Sequence, residues 1–203
     1  MSRLIVLRGR TGVGKTAVLR GLGARCCAVL DLERLASHRG SAFGGIGMGP
    51  QPSHDDFQAK LTEACQQLDG APVVFAEHEG QYIGSVGLPP WYLRKLLAAP
   101  GIELRAPLKR RIEHVVSEYG EAPISELRDA LRRIAPRLGP ERTTAAAKAL
   151  DHGELCAAIA VLLTYYDAAY AHQVADACAP LRVVDLGERS LDDVLDEIIA
   201  AEL

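Results

Sequence analysis

Eight residues near the start of the chain have the spacing of a phosphate-binding loop, G-x-x-x-x-G-K-[ST]. They are Gly9, Arg10, Thr11, Gly12, Val13, Gly14, Lys15 and Thr16. Glycines let the backbone curl around a di- or triphosphate, so that its N–H groups reach the phosphate oxygens. Lys15 would contact the terminal phosphate, and the Thr16 hydroxyl would hold a Mg²⁺ ion. The alternative is a glycine-rich turn that binds nothing.

Acidic residues follow the second and third predicted strands. Asp31 and Glu33 follow the second strand, and Glu77 and Glu79 follow the third. At the carboxyl edge of a parallel sheet, such an acid could order Mg²⁺-bound water or act as a base. We predict that Asp31 and Glu77 are catalytic, together with Lys15. Nucleotide hydrolases usually have Asp after the third strand, so Glu weakens the case for ordinary ATP hydrolysis. The alternative for each acid is a helix cap or a solvated strand end.

A glycine- and proline-rich segment at 38–52 is too long for a simple connector. Such segments are typical of lids over ligands or of disordered loops. Arg39 could clamp a phosphate through two hydrogen bonds. The predicted phosphate-binding set also includes His38, Gly40, Ser41 and, after the fourth predicted strand, Arg105. Further basic residues form either a solvated helical face or a patch for phosphate or RNA: Lys109, Arg110, Arg111, Arg128, Arg132 and Arg133.

Strands and helices alternate along the first half of the chain. Short apolar runs predict strands at 4–7, 28–30, 72–76, 102–104 and 181–185. Amphipathic patterns with helix caps lie between them, for example Ser53 before an apolar stripe. The alternation predicts an α/β fold, a P-loop NTPase-like parallel sheet with helices on both faces.

The second half of the chain has mostly helical patterns. We expect a single domain over 1–203, with a helical region at about 105–175 inserted before the last strand. One of these helices carries the stripe Leu108, Ile112, Val115, Val116 and Tyr119. The next is expected to stop at Pro136, because proline cannot continue the helical hydrogen bonds.

Composition narrows the functional classes. The net charge of the 203 residues is −3, so any RNA contact must come from a local basic patch. No apolar run approaches the roughly 20 residues of a membrane span, and we expect no leader peptide. Five cysteines, an odd number without zinc spacing, favour a reduced compartment. We therefore expect a cytoplasmic protein without a membrane partner.

Several stretches resemble the P-loop domain of tRNA 2-selenouridine synthases. They are DLERLASHRGSAFG at 31–44, QPSHDDFQAKL at 51–61, FAEHEGQYIG at 75–84 and YYDAAY at 165–170. The resemblance covers most of the chain. It implies replacement of sulfur by selenium at the 2-position of wobble uridine in tRNA, through an S-geranylated intermediate. Geranyl diphosphate and selenophosphate would be the donors.

The resemblance also implies roles for segments of the chain. The loop at 9–16 and the segment 31–41 would hold a diphosphate-bearing substrate, and the helical half would help to bind tRNA. In the family, a rhodanese domain with a catalytic Cys precedes this domain, and we expect it to be absent from this chain. We therefore expect a separate rhodanese-domain protein as partner, or a chain that performs part of the reaction. An arginine near the third strand is replaced at 79–81 by Glu-Gly-Gln, so a diverged substrate is possible.

Three functions stay open on these residues. The first, which we favour, is a tRNA-modifying transferase. The second is a P-loop small-molecule kinase or NTPase that binds a nucleoside triphosphate and Mg²⁺, with Asp31 as base and a basic lid. The third is a non-catalytic regulator that binds a nucleotide or diphosphate.

Overall fold

A computed structural model of the chain describes residues 2–77, 80–173 and 180–203. Glu79, one of the predicted strand-end acids, lies outside these residues. The strands are β1 (Arg3–Arg8), β2 (Ala28–Leu30), β3 (Val73–Glu77), β4 (Tyr82–Ile83), β5 (Val86–Gly87), β6 (Gly101–Arg105) and β7 (Pro180–Asp185). The helices are α1 (Lys15–Ala24), α2 (Leu32–Ala36), α3 (His54–Gln67), α4 (Pro90–Ala98), α5 (Leu108–Tyr119), α6 (Ile124–Leu138), α7 (Pro140–Asp151), α8 (Leu155–Gln173) and α9 (Leu191–Glu202).

Five of the strands form one parallel sheet in the order β2-β3-β1-β6-β7. The central strand β1 pairs with β3 on one side, Leu7 opposite Glu77, and with β6 on the other. The strands that follow β1 lie first on one side of it, as β2 and β3, and then on the other side, as β6 and β7. Ligands of open α/β sheets bind at the carboxyl edge beside such a change of side. The parallel sheet predicted from the sequence is confirmed. The small antiparallel pair β4-β5 was not predicted.

Alternate residues of β1 supply two separate cores. Leu4 and Val6 face α3 and α4, whereas Ile5 and Leu7 face α1 and α9. All four side chains are buried, and each such burial contributes about 1.5–3 kcal/mol. A strand buried on both faces reads as a continuous apolar run, which explains the Leu-Ile-Val-Leu sequence. Helices on both faces of the sheet are therefore confirmed.

The helices from α5 to α8 precede β7 in the chain and build a third apolar cluster. It combines residues of α6, α7 and α8 with Phe43 and Ile46 from the glycine-rich segment. The helical second half predicted from the sequence is present. Across the described residues, no helix has the length and apolarity needed to cross a membrane.

Two local predictions in this region were wrong. Helix α6 continues through Pro136 to Leu138. Pro136 lies in its last turn, where a missing N–H removes only one hydrogen bond. On α5, Leu108 is 48% exposed, whereas Arg111, read as a basic surface residue or phosphate contact, is 3% exposed. The charge of Arg111 can be buried because it is paired, and the periodicity of a single helix does not reveal such a pairing.

Candidate functional site

The phosphate loop, residues 9–16, joins β1 to α1 at the carboxyl edge of the sheet. Gly14 is the N-cap of α1, with φ 95°, a conformation that favours glycine. Neither a side-chain cap nor a first-turn acid is present at this helix end among the described residues. The first N–H groups of α1 and the positive end of its dipole therefore suit an anion.

Helix α5 packs directly on the phosphate loop at Gly12. A Cβ atom at Gly12 would lie 2.8 Å from Cγ2 of Val115 and 2.9 Å from the carbonyl oxygen of Arg111. Its φ of 78° also favours glycine. Any larger residue at this position would push the loop away from α5.

A cavity of about 250 Å³, the first cavity, opens between the phosphate loop and the helical region. Its polar end is lined by the loop, Glu33 of α2, the segment after α2 and three residues of α5: Gly9, Thr11, Gly12, Gly14, Lys15, Thr16, Glu33, Arg39, Gly40, Ser41, His114, Glu118 and Tyr119. Most of the predicted phosphate-binding residues are thus brought together.

Aliphatic side chains from three helices line one part of the first cavity, which we call its apolar end; Phe43, Tyr82, Tyr166 and Tyr170 also line the cavity. The aliphatic side chains are Leu127 of α6, Leu150 of α7, and Leu155, Ile159, Leu162 and Leu163 of α8. Lining residues extend along α8 from Leu155 to Tyr170, about four turns or roughly 22 Å. Tyr170 donates to Glu103 in the middle of β6, at 2.8 Å, and lines the first cavity together with loop residues, so that end of α8 lies beside the loop. The cavity therefore joins a phosphate-binding motif to an apolar chamber.

Glu33 is the carboxylate that the structure places next to the phosphate loop. It is 7% exposed, and the Thr16 hydroxyl donates to its Oε2 at 3.1 Å. Burial raises the pKa of Glu33, while the charge of Lys15 and the Thr16 hydrogen bond oppose that rise. Asp31 and Glu118 raise the same pKa further through charge repulsion.

Thr16 and Glu33 are the residues that fit a Mg²⁺ ion. Mg²⁺ prefers oxygen ligands and usually keeps waters and substrate phosphates in its shell. Within the described ranges, no group of three or more His, Cys, Asp or Glu could hold a metal ion. A Mg²⁺ ion here would therefore depend on phosphate oxygens from a ligand.

Asp31 has a different position from Glu33. Its carboxylate accepts from the backbone N–H of Arg34 at 2.8 Å and from Nε of Arg20 at 3.4 Å. It therefore caps α2, the alternative that the sequence left open, and does not line the first cavity. The cap orients the first turn of α2, which carries Glu33 toward Thr16.

Glu77 and His38 also lie outside the lining of the first cavity. Glu77 is fully buried at the end of β3. Nδ1 of His38 accepts from the N–H of Gly40 at 3.1 Å. Burial lowers the pKa of His38, and the charges of Arg133 and Arg39 lower it further.

Arg39 lines the first cavity and is held from two sides. Its Nη1 donates to the carbonyl of Ile46 at 2.8 Å, and its guanidinium lies 5.4 Å from the ring centre of Tyr119. Both contacts fix the segment that follows α2. Burial raises the pKa of Tyr119 to about 12.

Three predicted phosphate-binding residues line a second cavity of about 620 Å³ instead: Arg10, Val13 and Arg105. This cavity lies along the other side of the phosphate loop, beside β6. Arg105 is exposed there, and Val13 is 4% exposed within the core.

His114 and Glu118 are site residues that the sequence reasoning missed. Both line the first cavity from α5, with Nε2 of His114 3.8 Å from Oε1 of Glu118. The sequence contained a pattern that could have predicted them. They are four residues apart on a predicted helix, and each is adjacent to a residue of the apolar stripe, Val115 or Tyr119.

The remaining basic residues are engaged with the protein. Arg110 donates to three backbone carbonyls in the turn that follows β7, and Arg133 donates to the carbonyl of Ala42. Ion pairs join Lys109 to Glu113, Arg128 to Asp151 and Arg132 to Asp129.

Known proteins resemble this chain in sequence and in fold. The family model of the tRNA 2-selenouridine synthase AAA domain matches residues 2–197. A tRNA 2-selenouridine synthase of Cupriavidus pinatubonensis is 36% identical over 92% of this chain and 57% of its own length. One of Hydrogenovibrio crunogenus is 35% identical over 83% of this chain and 52% of its own length. The chain thus spans about half the length of these relatives.

The crystal structure of TT1252 from Thermus thermophilus superposes with a TM-score of 0.51, covering 100% of this chain and 98% of the other. At 16% identity, this likeness shows the fold alone. The family match agrees with the resemblance found at 31–44, 51–61 and 165–170. The chain belongs to the family of tRNA 2-selenouridine synthase AAA domains.

Proposed function

We propose that the chain is the P-loop part of an enzyme that transfers a geranyl group to 2-thiouridine in tRNA. The phosphate loop holds the diphosphate of geranyl diphosphate, and the apolar end of the first cavity holds the prenyl chain. The observation that carries the proposal is the union of a phosphate loop and an aliphatic chamber in one cavity.

The chemistry of the chamber favours a prenyl tail over a nucleoside. Burying about ten carbon atoms contributes at most roughly 8 kcal/mol, at 0.8 kcal/mol for each methylene. A ribose or base at the same place would leave polar atoms against Leu127, Ile159 and Leu163. Polar groups buried without hydrogen bonds cost free energy, so this end of the cavity disfavours them.

The residues at the polar end suit departure of a diphosphate. The sulfur of 2-thiouridine forms a bond to the first carbon of the geranyl group, and the carbon–oxygen bond to diphosphate breaks. Lys15, Arg39 and the N–H groups of the loop neutralise the developing negative charge. Mg²⁺ held by Thr16 would add to this neutralisation.

S-alkylation also releases the N3 proton of the base, which needs an acceptor. Glu33 lines the cavity with a raised pKa and serves as this base in the proposal. Asp31, predicted to be catalytic, acts by capping α2 and positioning Glu33. A catalytic role for Glu77 stays a prediction.

The proposed reaction also needs an acceptor for the geranyl group and a later exchange of sulfur for selenium. tRNA is the macromolecular substrate, in the cytoplasm, and a rhodanese-domain protein takes part in the exchange of sulfur for selenium from selenophosphate. Residues 1–203 act as one domain here, since the first cavity takes walls from both the sheet edge and the helical region.

A nucleoside triphosphate is the second candidate ligand, and the enzyme would then be a kinase or NTPase. The phosphate loop and the Thr16–Glu33 pair suit a triphosphate with Mg²⁺ equally well. The second cavity, beside Arg10 and Arg105, could hold a base outside the apolar chamber.

Calorimetric titration of the chain with pyrophosphate, geranyl diphosphate and ATP, each with Mg²⁺, separates these functions. We expect geranyl diphosphate to bind at least about tenfold more tightly than pyrophosphate, because the tail adds apolar burial. ATP binding more tightly than geranyl diphosphate would favour the kinase or NTPase. If neither geranyl diphosphate nor tRNA shifts the melting temperature, the proposal is wrong.

A further inference from the structure

A buried arginine connects α8 to the phosphate loop. Arg111 of α5 is 3% exposed, and its two terminal nitrogens pair with both carboxylate oxygens of Asp167 on α8, at 2.6 and 3.0 Å. Its third nitrogen, Nε, donates to the carbonyl oxygen of Thr11 at 2.9 Å. One guanidinium thus contacts a helix of the chamber and the loop at the same time.

The pair with Asp167 fixes the direction of the third donor. A guanidinium is planar and rigid, so two parallel hydrogen bonds to a carboxylate determine where Nε points. A buried charge is tolerated only when it is paired in this way. Asp167 therefore orients the hydrogen bond that Arg111 makes to the loop.

That hydrogen bond determines which way a loop N–H faces. In a trans peptide, the C=O of Thr11 and the N–H of Gly12 point in opposite directions. Holding the carbonyl toward Arg111 turns the N–H of Gly12 to the other side of the peptide plane. Gly12 has no side chain to restrict its backbone, so the orientation of this peptide needs support from outside the loop.

Asp167 has a second link to the same loop. Nη1 of Arg10 lies 3.4 Å from its Oδ2, so one carboxylate contacts guanidinium groups from both the loop and α5. About one turn earlier on the same helix, Leu162 and Leu163 line the apolar end of the first cavity. Helix α8 therefore takes part in both the chamber and the support of the loop.

We propose that Arg111 and Asp167 are a positioning pair that holds the phosphate loop in its anion-binding conformation. Neither needs to touch the phosphate: Arg111 acts through the Thr11–Gly12 peptide and Asp167 acts through Arg111. This inference rests on the proposed function, in that the loop must bind a diphosphate.

Pyrophosphate titration of three variants tests the pair, each at a temperature well below its unfolding transition. Arg111→Lys keeps the charge but cannot serve Asp167 and Thr11 together, so its affinity should fall about tenfold or more, as for groups that orient metal ligands. Asp167→Asn should lose less than Asp167→Ala, because it retains one acceptor oxygen. Asp167→Ala leaves the buried Arg111 without its carboxylate, so Asp167→Asn, which keeps one acceptor oxygen for Arg111, is the variant expected to fold most readily.

Arg110→Gln is the matched control. Arg110 is the neighbouring residue of α5 and donates to the carbonyls of Leu186, Gly187 and Arg189, away from the phosphate loop. It should lower the melting temperature and leave pyrophosphate affinity unchanged. Equal loss of affinity in Arg110→Gln and Asp167→Asn would show a general structural effect and overturn the inference.

The outcomes distinguish the inference from the proposed function. If the wild-type chain binds pyrophosphate and Lys15→Ala does not, the proposed ligand class stands; unchanged affinity in Asp167→Ala and Arg111→Lys would then overturn the positioning pair alone. If the wild-type chain binds neither pyrophosphate nor geranyl diphosphate, the proposed function is wrong and the pair has no ligand to position; if it binds geranyl diphosphate alone, the same variants are titrated with that ligand.

Discussion

The two ends of the first cavity are built in different ways. The polar end depends mainly on backbone groups of the consecutive residues 9–16, with Lys15 and Glu33 added. The apolar end takes one side chain each from α6 and α7 and four from α8, spread over residues 127–163. Phosphate recognition is therefore local in the sequence, whereas recognition of what the phosphate carries is distributed. A substitution on one helix can change the second property and leave the first intact.

Removing the charge at the polar end is expected to have the largest effect. Lys15→Ala should weaken pyrophosphate and geranyl diphosphate alike, by roughly 100-fold, since a hydrogen bond to a charged group contributes about 1.5–3 kcal/mol. Titration calorimetry measures both affinities. Lys60→Ala, an exposed lysine of α3, is the control and should change neither. A larger loss for one ligand than for the other would contradict the division between the two ends.

Enlarging the apolar end should act on the tail alone. Leu162→Ala is expected to weaken geranyl diphosphate about tenfold while pyrophosphate affinity stays constant, because only the tail loses contacts. Leu61→Ala, in the core between α3 and the sheet, is the matched control. Both variants should lose about 2–5 kcal/mol of unfolding free energy, so stability alone would not separate them. Equal affinities for geranyl diphosphate in the two variants would remove the chamber from the proposal.

Protonation of Glu33, at the polar end, should make the stability of the protein depend on pH. The pKa of Glu33 in the folded protein is raised above 4.5. Between pH 4.5 and that folded pKa, the native state therefore keeps a proton that the unfolded chain has released. Stability should therefore decrease as the pH rises from about 4.5 through the folded pKa, and the loss should be complete above it. Glu33→Gln should remove this decrease and should lower the benefit of Mg²⁺ for pyrophosphate binding several-fold. Thermal melts across this pH range measure the first effect; parallel curves for both proteins would contradict it.

The smallest effect on phosphate is expected outside the first cavity. Arg105 is exposed beside the second cavity, so Arg105→Ala should change pyrophosphate affinity less than about twofold. If Arg105 contacts tRNA phosphate, the salt dependence of tRNA binding should fall by about one unit of slope. A large loss of pyrophosphate affinity would instead place Arg105 at the polar end.

The sequence predicted the polar end because its chemistry is contiguous. The spacing of 9–16 and the strand before it placed the loop at the carboxyl edge of the sheet. Of the acids that follow β2, the sequence could not tell which faces the loop, because that depends on α2. The N-cap at Asp31 turns the helix so that Glu33 faces Thr16. A search for Asp before an apolar helical turn would have predicted this cap.

The apolar end could not be predicted in the same way. The stripe Leu155, Ile159, Leu162 and Leu163 predicts a helix with one buried face, and a filled core and a lined cavity need the same side chains. The burial of Arg111 depends on Asp167, 56 residues away, and nothing in local periodicity reports such a partner. Distant pairings of this kind are properties of the folded chain.

The place of β7 in the sheet has a consequence for the order of folding. It pairs with β6, Arg105 opposite Asp185, across the whole helical region. Closing an unstructured chain segment of that length costs about 4 kcal/mol of entropy by the logarithmic scaling. Helices adjacent in sequence pack on each other there, α6 on α7 and α7 on α8, so their contacts have low contact order and form early. We expect the helical region to assemble first and draw β7 toward β6, which makes closure of the sheet the late step of folding.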